Sequence, residues 1–127
     1  MRDVRHHAVG DTLVVHLEGD LDIQVAAGLR KWLTSACESN RNLVLDLADV
    51  KFIDSTGLSA LVRAHQAAKR NGGQVVLATP SRFLLTILRT LRLEPVFPTF
   101  ASPDAAVKGL ALRPVPAAPP AAAGGPA

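Results

Sequence analysis

Asp54-Ser55-Thr56-Gly57 places a carboxylate, two hydroxyls and a glycine in four consecutive positions. What such a run can do depends on where it sits. Upstream, Leu43-Val44-Leu45-Asp46-Leu47 is short, almost wholly apolar and β-competent, which predicts a buried parallel strand. Downstream, Leu58, Leu61, Val62, His65 and Ala68 recur at helical spacing until Asn71-Gly72-Gly73 ends the pattern. Asp54, Ser55 and Thr56 therefore fall at a helix N-terminus, where unpaired N–H groups and the helix dipole favour negative charge. Side-chain oxygens there cap the helix, and a phosphate would be at home on the same N–H groups. On spacing alone, Ser55 reads as one of several capping hydroxyls.

The elements that position this junction can be read on either side of it. Thr12 to Glu18 alternates, with Leu13, Val15 and Leu17 on one face, which predicts a strand with unequal faces. Gly10-Asp11 is a turn signal, so residues near Val4 to Val9 are expected as a short antiparallel partner. After Gly19-Asp20-Leu21-Asp22, a helix carries Val25, Ala26, Leu29, Leu33, Ala36 and Cys37 on one side, with Asp22 near its start as a cap. Gln74 to Thr79 reads as the next strand. Pro80-Ser81 opens a third helix through about Leu91, whose apolar face is Phe83, Leu84, Ile87, Leu88 and Leu91. Val96-Phe97 reads as a short edge strand stopped by Pro98. Ser102-Pro103-Asp104 starts a last helix through Ala111. The expected fold is α/β, a mixed, mainly parallel sheet of about five strands with about four helices in β-β-α-β-α-β-α-β-α order.

At 127 residues the chain fits one domain, and 48% apolar residues argue against disorder throughout. The domain is expected over residues 1–112, with 113–127, rich in Pro, Ala and Gly, as a disordered tail. No apolar run reaches the roughly 18 residues that span a bilayer, and the N-terminus does not resemble a secretory signal. A cytoplasmic protein without membrane association is expected. The single cysteine, Cys37, excludes an internal disulfide and falls in a helical pattern as a small buried side chain. A net charge of +3 invites a nucleic-acid reading. Against it, several cations (Arg63, Lys69, Arg70, Arg89, Arg92) fall in the second halves of helices, where they offset the dipole, and aromatic residues are not interleaved with them. No direct nucleic-acid binding is expected.

Enzyme readings find little support. Asp-Ser-Thr-Gly is not the Asp-[Thr/Ser]-Gly of aspartic proteases, and neither a Gly-x-Ser-x-Gly elbow nor a Gly-Lys-[Ser/Thr] phosphate loop occurs. His6 and His7 would point to opposite faces of a strand, and His16 and His65 are isolated, so neither a metal nor a cofactor is expected.

The segment LVLDLADVKFIDSTGLSALVRAHQAAKRNGG, from Leu43 to Gly73, closely resembles the STAS domains of bacterial anti-sigma factor antagonists. These carry a strand, an apolar-Asp-Ser-[Ser/Thr]-Gly-Leu turn, a helix and a Gly-Gly before the next strand. LVVHLEGDLDIQVAAGLRKWL looks like the family's earlier strand and first helix, and LLTILRTLRLEPVFPTFASPDAAV is similar to its third helix, last strand and closing helix. The likeness covers roughly residues 5 to 112. It implies that Ser55 is a phosphoacceptor, with Thr56 as a secondary candidate, and that Asp20, Asp22, Asp54, Ser55, Thr56, Gly57, Leu58 and Ser59 meet a partner. That partner would be an anti-sigma factor that is itself a serine kinase. Unphosphorylated chain would bind it and release a sigma factor; phosphorylation would block binding, and a PP2C-type phosphatase would reset the chain. The protein itself would be no enzyme, and a monomer or weak dimer. Leu58-Ser59-Ala60 departs from the Gly or Arg that many relatives carry after the Leu, which points to a different partner. Two other readings are a phosphorylation-independent STAS scaffold and a small nucleotide-binding protein using the same helix start.

Overall fold

The computed structural model describes residues 4–112, so the tail expected at 113–127 lies outside the described residues. The turn at Gly10-Asp11 folds β1 (Arg5–Val9) antiparallel onto β2 (Thr12–Leu21), with Val9 opposite Thr12. Next come α1 (Ile23–Ser39), β3 (Asn42–Ile53), α2 (Ser55–Arg70), β4 (Gln74–Ala78), α3 (Arg82–Thr90), β5 (Thr99–Phe100) and α4 (Pro103–Leu112). The sheet order is β1-β2-β3-β4-β5, and every pair after the first is parallel. This is the mixed, mainly parallel α/β sheet that the sequence pattern implies.

Because the central strands are buried on both faces, their apolar residues pack in two directions. One set, Leu13, Val15 and Leu17 with Leu43 and Leu45, meets α1, α2 and α3 through Leu29, Leu33, Leu61 and Leu88. Each such leucine contributes about 1.5–3 kcal/mol by leaving water. The other set, Val14, Val44, Val76 and Ala78, is covered by α4 through Ala106, with Val107, Leu110 and Phe100 around it. Beyond α4, the second face carries polar groups, and His16 Nδ1 lies 2.9 Å from Asp46 Oδ2 with the His7 ring stacked on His16.

Three expectations need correction. β3 runs on to Ile53, well past the run at 43–47 from which the strand is read, and Asp49 lies inside it. Pairing to the extended end of β2, up to Leu21 opposite Ile53, holds those extra residues. Val96-Phe97 is a turn, not a strand: both N–H groups donate to the Leu93 carbonyl at 3.0 Å. Burial of Phe97, whose ring meets His65 edge-on, outweighs the β-propensity of the pair. The strand begins after Pro98, whose carbonyl accepts from the Leu77 N–H at 2.9 Å, and the edge position needs no N–H from the proline. In α3, Phe83 and Leu91 are half exposed and not part of the buried face, which is built on Leu84 and Leu88.

Candidate functional site

β2 and β3 end together, and the helices that follow them start together. The Asp54 N–H donates to the Leu21 carbonyl at 3.2 Å, extending the ladder one step past Ile53. From there Asp54 caps α2: one carboxylate oxygen accepts from the N–H groups of Thr56 and Gly57, both at 2.9 Å, and from the Thr56 hydroxyl at 2.5 Å. Its other oxygen accepts from the Ile23 N–H at 3.2 Å, so the same carboxylate ties the start of α1 to the start of α2. Asp22 caps α1 as expected, accepting from the Gln24 N–H at 3.1 Å.

Gly57 is fixed by close approach. A Cβ there would stand 2.0 Å from the Leu21 carbonyl oxygen, so only glycine lets the first turn of α2 rest on the end of β2. The approach is to the chain's own backbone, and Gly57 and Leu58 are both buried. Asp20, Ser55 and Ser59 are exposed, while Asp22, Asp54 and Thr56 are half-buried at the same end of the sheet. The capping role that three side chains could have taken belongs to Asp54. Among the described residues the Ser55 hydroxyl has no hydrogen-bond partner, and it faces water at the first position of the helix.

Thr56 donating its hydroxyl, together with the Gly57 N–H, holds the Asp54 carboxyl below its ordinary range. The carboxylate thus already fills the seat that a phosphate would take at this helix start, and a nucleotide would have to displace it. Away from the junction, burial first and Lys69 second lower the pKa of His65. Burial also pushes the Cys37 thiol up to about 11. Among the described residues no group of three or more His, Cys, Asp or Glu stands ready to hold a metal, and no helix is long and apolar enough to cross a membrane. The arrangement is an exposed hydroxyl beside a capping carboxylate at the first turn of α2.

A family model described as the STAS domain matches residues 3–106. The chain belongs to the STAS domain family. It is 29% identical over 94 residues to the anti-sigma-B factor antagonist of Bacillus subtilis (strain 168), an alignment covering 74% of this chain and 86% of that relative. A crystal structure from Thermotoga maritima superposes with a TM-score of 0.79 at 21% identity, over 85% of this chain and 94% of that one. The anti-sigma factor antagonist SpoIIAA matches in its unphosphorylated form at a TM-score of 0.69, 17% identity and 87% of this chain against all of its own. Its phosphorylated form, from Bacillus, matches at 0.68, 19% identity, 84% of this chain and 98% of its own.

On this STAS domain, sequence reasoning missed an apolar rim beside the junction. Ile23 is 71% exposed, and Phe52 stacks on Phe83 with ring centroids 6.1 Å apart, both half exposed. For Ile23 a signal was available: it follows the cap Asp22 directly and lies outside the Val25-Ala26-Leu29 stripe. Phe83 gave none, since its spacing fits the buried face of α3.

Proposed function

We propose that this chain is an anti-sigma factor antagonist switched by phosphorylation of Ser55. The observation that carries the reading is the exposed, unpartnered Ser55 hydroxyl on a turn whose capping work is done by Asp54. The Bacillus subtilis relative carries the antagonist name, and SpoIIAA exists in both phosphorylated and unphosphorylated forms on this fold. In the unphosphorylated state an anti-sigma factor covers Ser55, Ser59 and the neighbouring Asp20, Asp22 and Thr56. Gly57 and Leu58 support that surface from within, and Ile23 and Phe52 supply apolar contact. The sigma factor is thereby released.

A serine kinase activity in the anti-sigma factor then transfers the terminal phosphoryl group of ATP to the Ser55 oxygen. The hydroxyl proton passes to a base on the kinase and ADP leaves. The product adds about −1.5 to −2 charge and three acceptor oxygens next to the Asp54 carboxylate. On exposed Ser55 this charge stays in water, but a protein surface packed over it does not tolerate it, because the charge would be buried beside another of like sign. A loss of about 3 kcal/mol weakens binding more than a hundredfold. A PP2C-type phosphatase restores the hydroxyl. Thr56 is a poor second acceptor because its hydroxyl is donated to Asp54.

The test is titration calorimetry of the kinase-type anti-sigma factor with wild type, Ser55→Ala and stoichiometrically phosphorylated chain. Wild type and Ser55→Ala should bind alike, and the phosphorylated chain more than a hundredfold more weakly. Equal affinity of the three forms would overturn the proposal. Radiolabel from ATP should appear in wild type and in Thr56→Ala but not in Ser55→Ala.

A further inference from the structure

α1 and α2 run side by side in the same direction. They are joined at one end by Ile23 N–H on Asp54, and at the other by the Asn71 amide donating to the Cys37 carbonyl at 2.9 Å. Along the solvent side of the pair lies an open groove of about 610 Å³. Its charged walls are Arg30 and Lys31 from α1 and Arg63 and Arg70 from α2, with Glu38 as the one carboxylate. Among the described residues none of these four cations has an ion-pair partner. Dipole compensation accounts for Arg70 in the last turn of α2, but Arg30, Lys31 and Arg63 lie in mid-helix, far from either pole.

The groove is continuous with the Ser55 end. Ser55, Ser59, Arg63, Gln66 and Arg70 follow one another at spacings of four, four, three and four, and all are exposed, so they form one stripe along α2. Arg63 lies about 12 Å beyond Ser55 on the helix axis. The facing stripe on α1 begins at exposed Ile23 and passes Ala27 to reach Arg30 and Lys31.

We propose that this groove docks an acidic segment of the same partner that covers Ser55, its carboxylates meeting Arg30, Lys31, Arg63 and Arg70. This rests on the reading of Ser55 as a partner-covered switch and adds the second half of the footprint. Charge complementarity selects an anionic occupant. The dispersal of the cations selects an extended one: Arg63 and Arg70 alone are separated by about 10 Å of helix, on long exposed side chains that do not converge on one phosphate. No aromatic side chain lines the groove as a platform for nucleotide bases. A rim of this kind acts chiefly on the rate of encounter, so it brings the partner to Ser55 and leaves release to the phosphate.

The experiment uses isotope-labelled full chain and three probes: a Glu-rich peptide, inorganic tripolyphosphate and an oligothymidylate. Arg30→Glu/Arg63→Glu is the comparison variant. The peptide should shift amide resonances along the groove stripes, bind more weakly as salt is raised, and lose its effect in the variant. The variant should melt at the wild-type temperature, since both side chains are in water. In stopped-flow mixing with the anti-sigma factor, the variant should associate about tenfold more slowly or worse, with the slowing reduced at high salt. Peptide shifts that survive the charge reversals would overturn the proposal, as would preferential occupation of the groove by tripolyphosphate or oligothymidylate. A variant that associates with the anti-sigma factor at the wild-type rate would sink the groove alone. Equal affinity of phosphorylated and unphosphorylated chain would sink the switch alone.

Discussion

The two ends of the α1–α2 pair are built alike but present different chemistry. At each, a glycine lets one backbone rest on another: Gly57 on the Leu21 carbonyl, and Gly73 on the Arg41 carbonyl, where a Cβ would stand 1.5 Å from the oxygen. At each, a polar side chain at the end of α2 reaches across to α1: Asp54 to the Ile23 N–H, Asn71 to the Cys37 carbonyl. Only the first end adds an exposed hydroxyl at the positive pole of a helix. The comparison separates two properties that are easily confused. Close backbone contact belongs to both ends, whereas the exposed hydroxyl belongs to one.

The strongest test of the shared backbone contact is a pair of alanine substitutions. Gly73→Ala and Gly57→Ala should each lower stability by about 3 kcal/mol or more, Gly73→Ala the more, because backbone and not a flexible side chain must give way. Urea denaturation checks this. If either variant unfolds at the wild-type midpoint, the close contact at that end is not what holds it. A surviving Gly57→Ala protein should also be phosphorylated more slowly at Ser55, an effect that Gly73→Ala lacks.

Next in size are the side chains that cross between the helices. Asn71→Ala removes the hydrogen bond that the exposed Asn71 amide donates to the Cys37 carbonyl and should cost about 1 kcal/mol, equally at pH 7 and pH 3. Asp54→Asn should behave differently. The carboxyl is held below its ordinary value in the fold, so its ionisation adds stability above the unfolded-state value, near pH 4, and that contribution is lost as pH falls through the lower folded value. The deficit of Asp54→Asn should therefore be present at pH 7 and shrink below about pH 4, in matched urea melts. A deficit independent of pH would assign the cap to geometry alone.

The smallest effect concerns Cys37, at the Asn71 end. With its thiol pushed up to about 11 and its side chain 1% exposed, it should resist iodoacetamide at pH 8 in the folded chain and react once urea unfolds it. Ready alkylation of folded protein would show that this end opens.

The sequence was most legible where local signals agreed. An apolar strand, an acidic-hydroxyl turn and a periodic helix define the β3–α2 junction, and Asp22, Ser81 and Ser102 cap the helices near which they were read. It was least legible where tertiary packing decides. Val96 and Phe97 carry strand propensity, yet Phe97 fills the core and its backbone turns. Gly57 announces a close approach, but nothing in its neighbourhood names Leu21, which lies 36 positions earlier. In the sequence the groove cations are two separate pairs, Arg30 with Lys31 and Arg63 with Arg70, and only the packing of α1 against α2 brings them together.

The glycine contacts also bear on how information leaves this domain. At Gly57 the first turn of α2 lies against the Leu21 carbonyl with no room for a side chain, so movement of that turn toward β2 is blocked by backbone. A charge placed on exposed Ser55 would be met first by whatever surface is pressed against it.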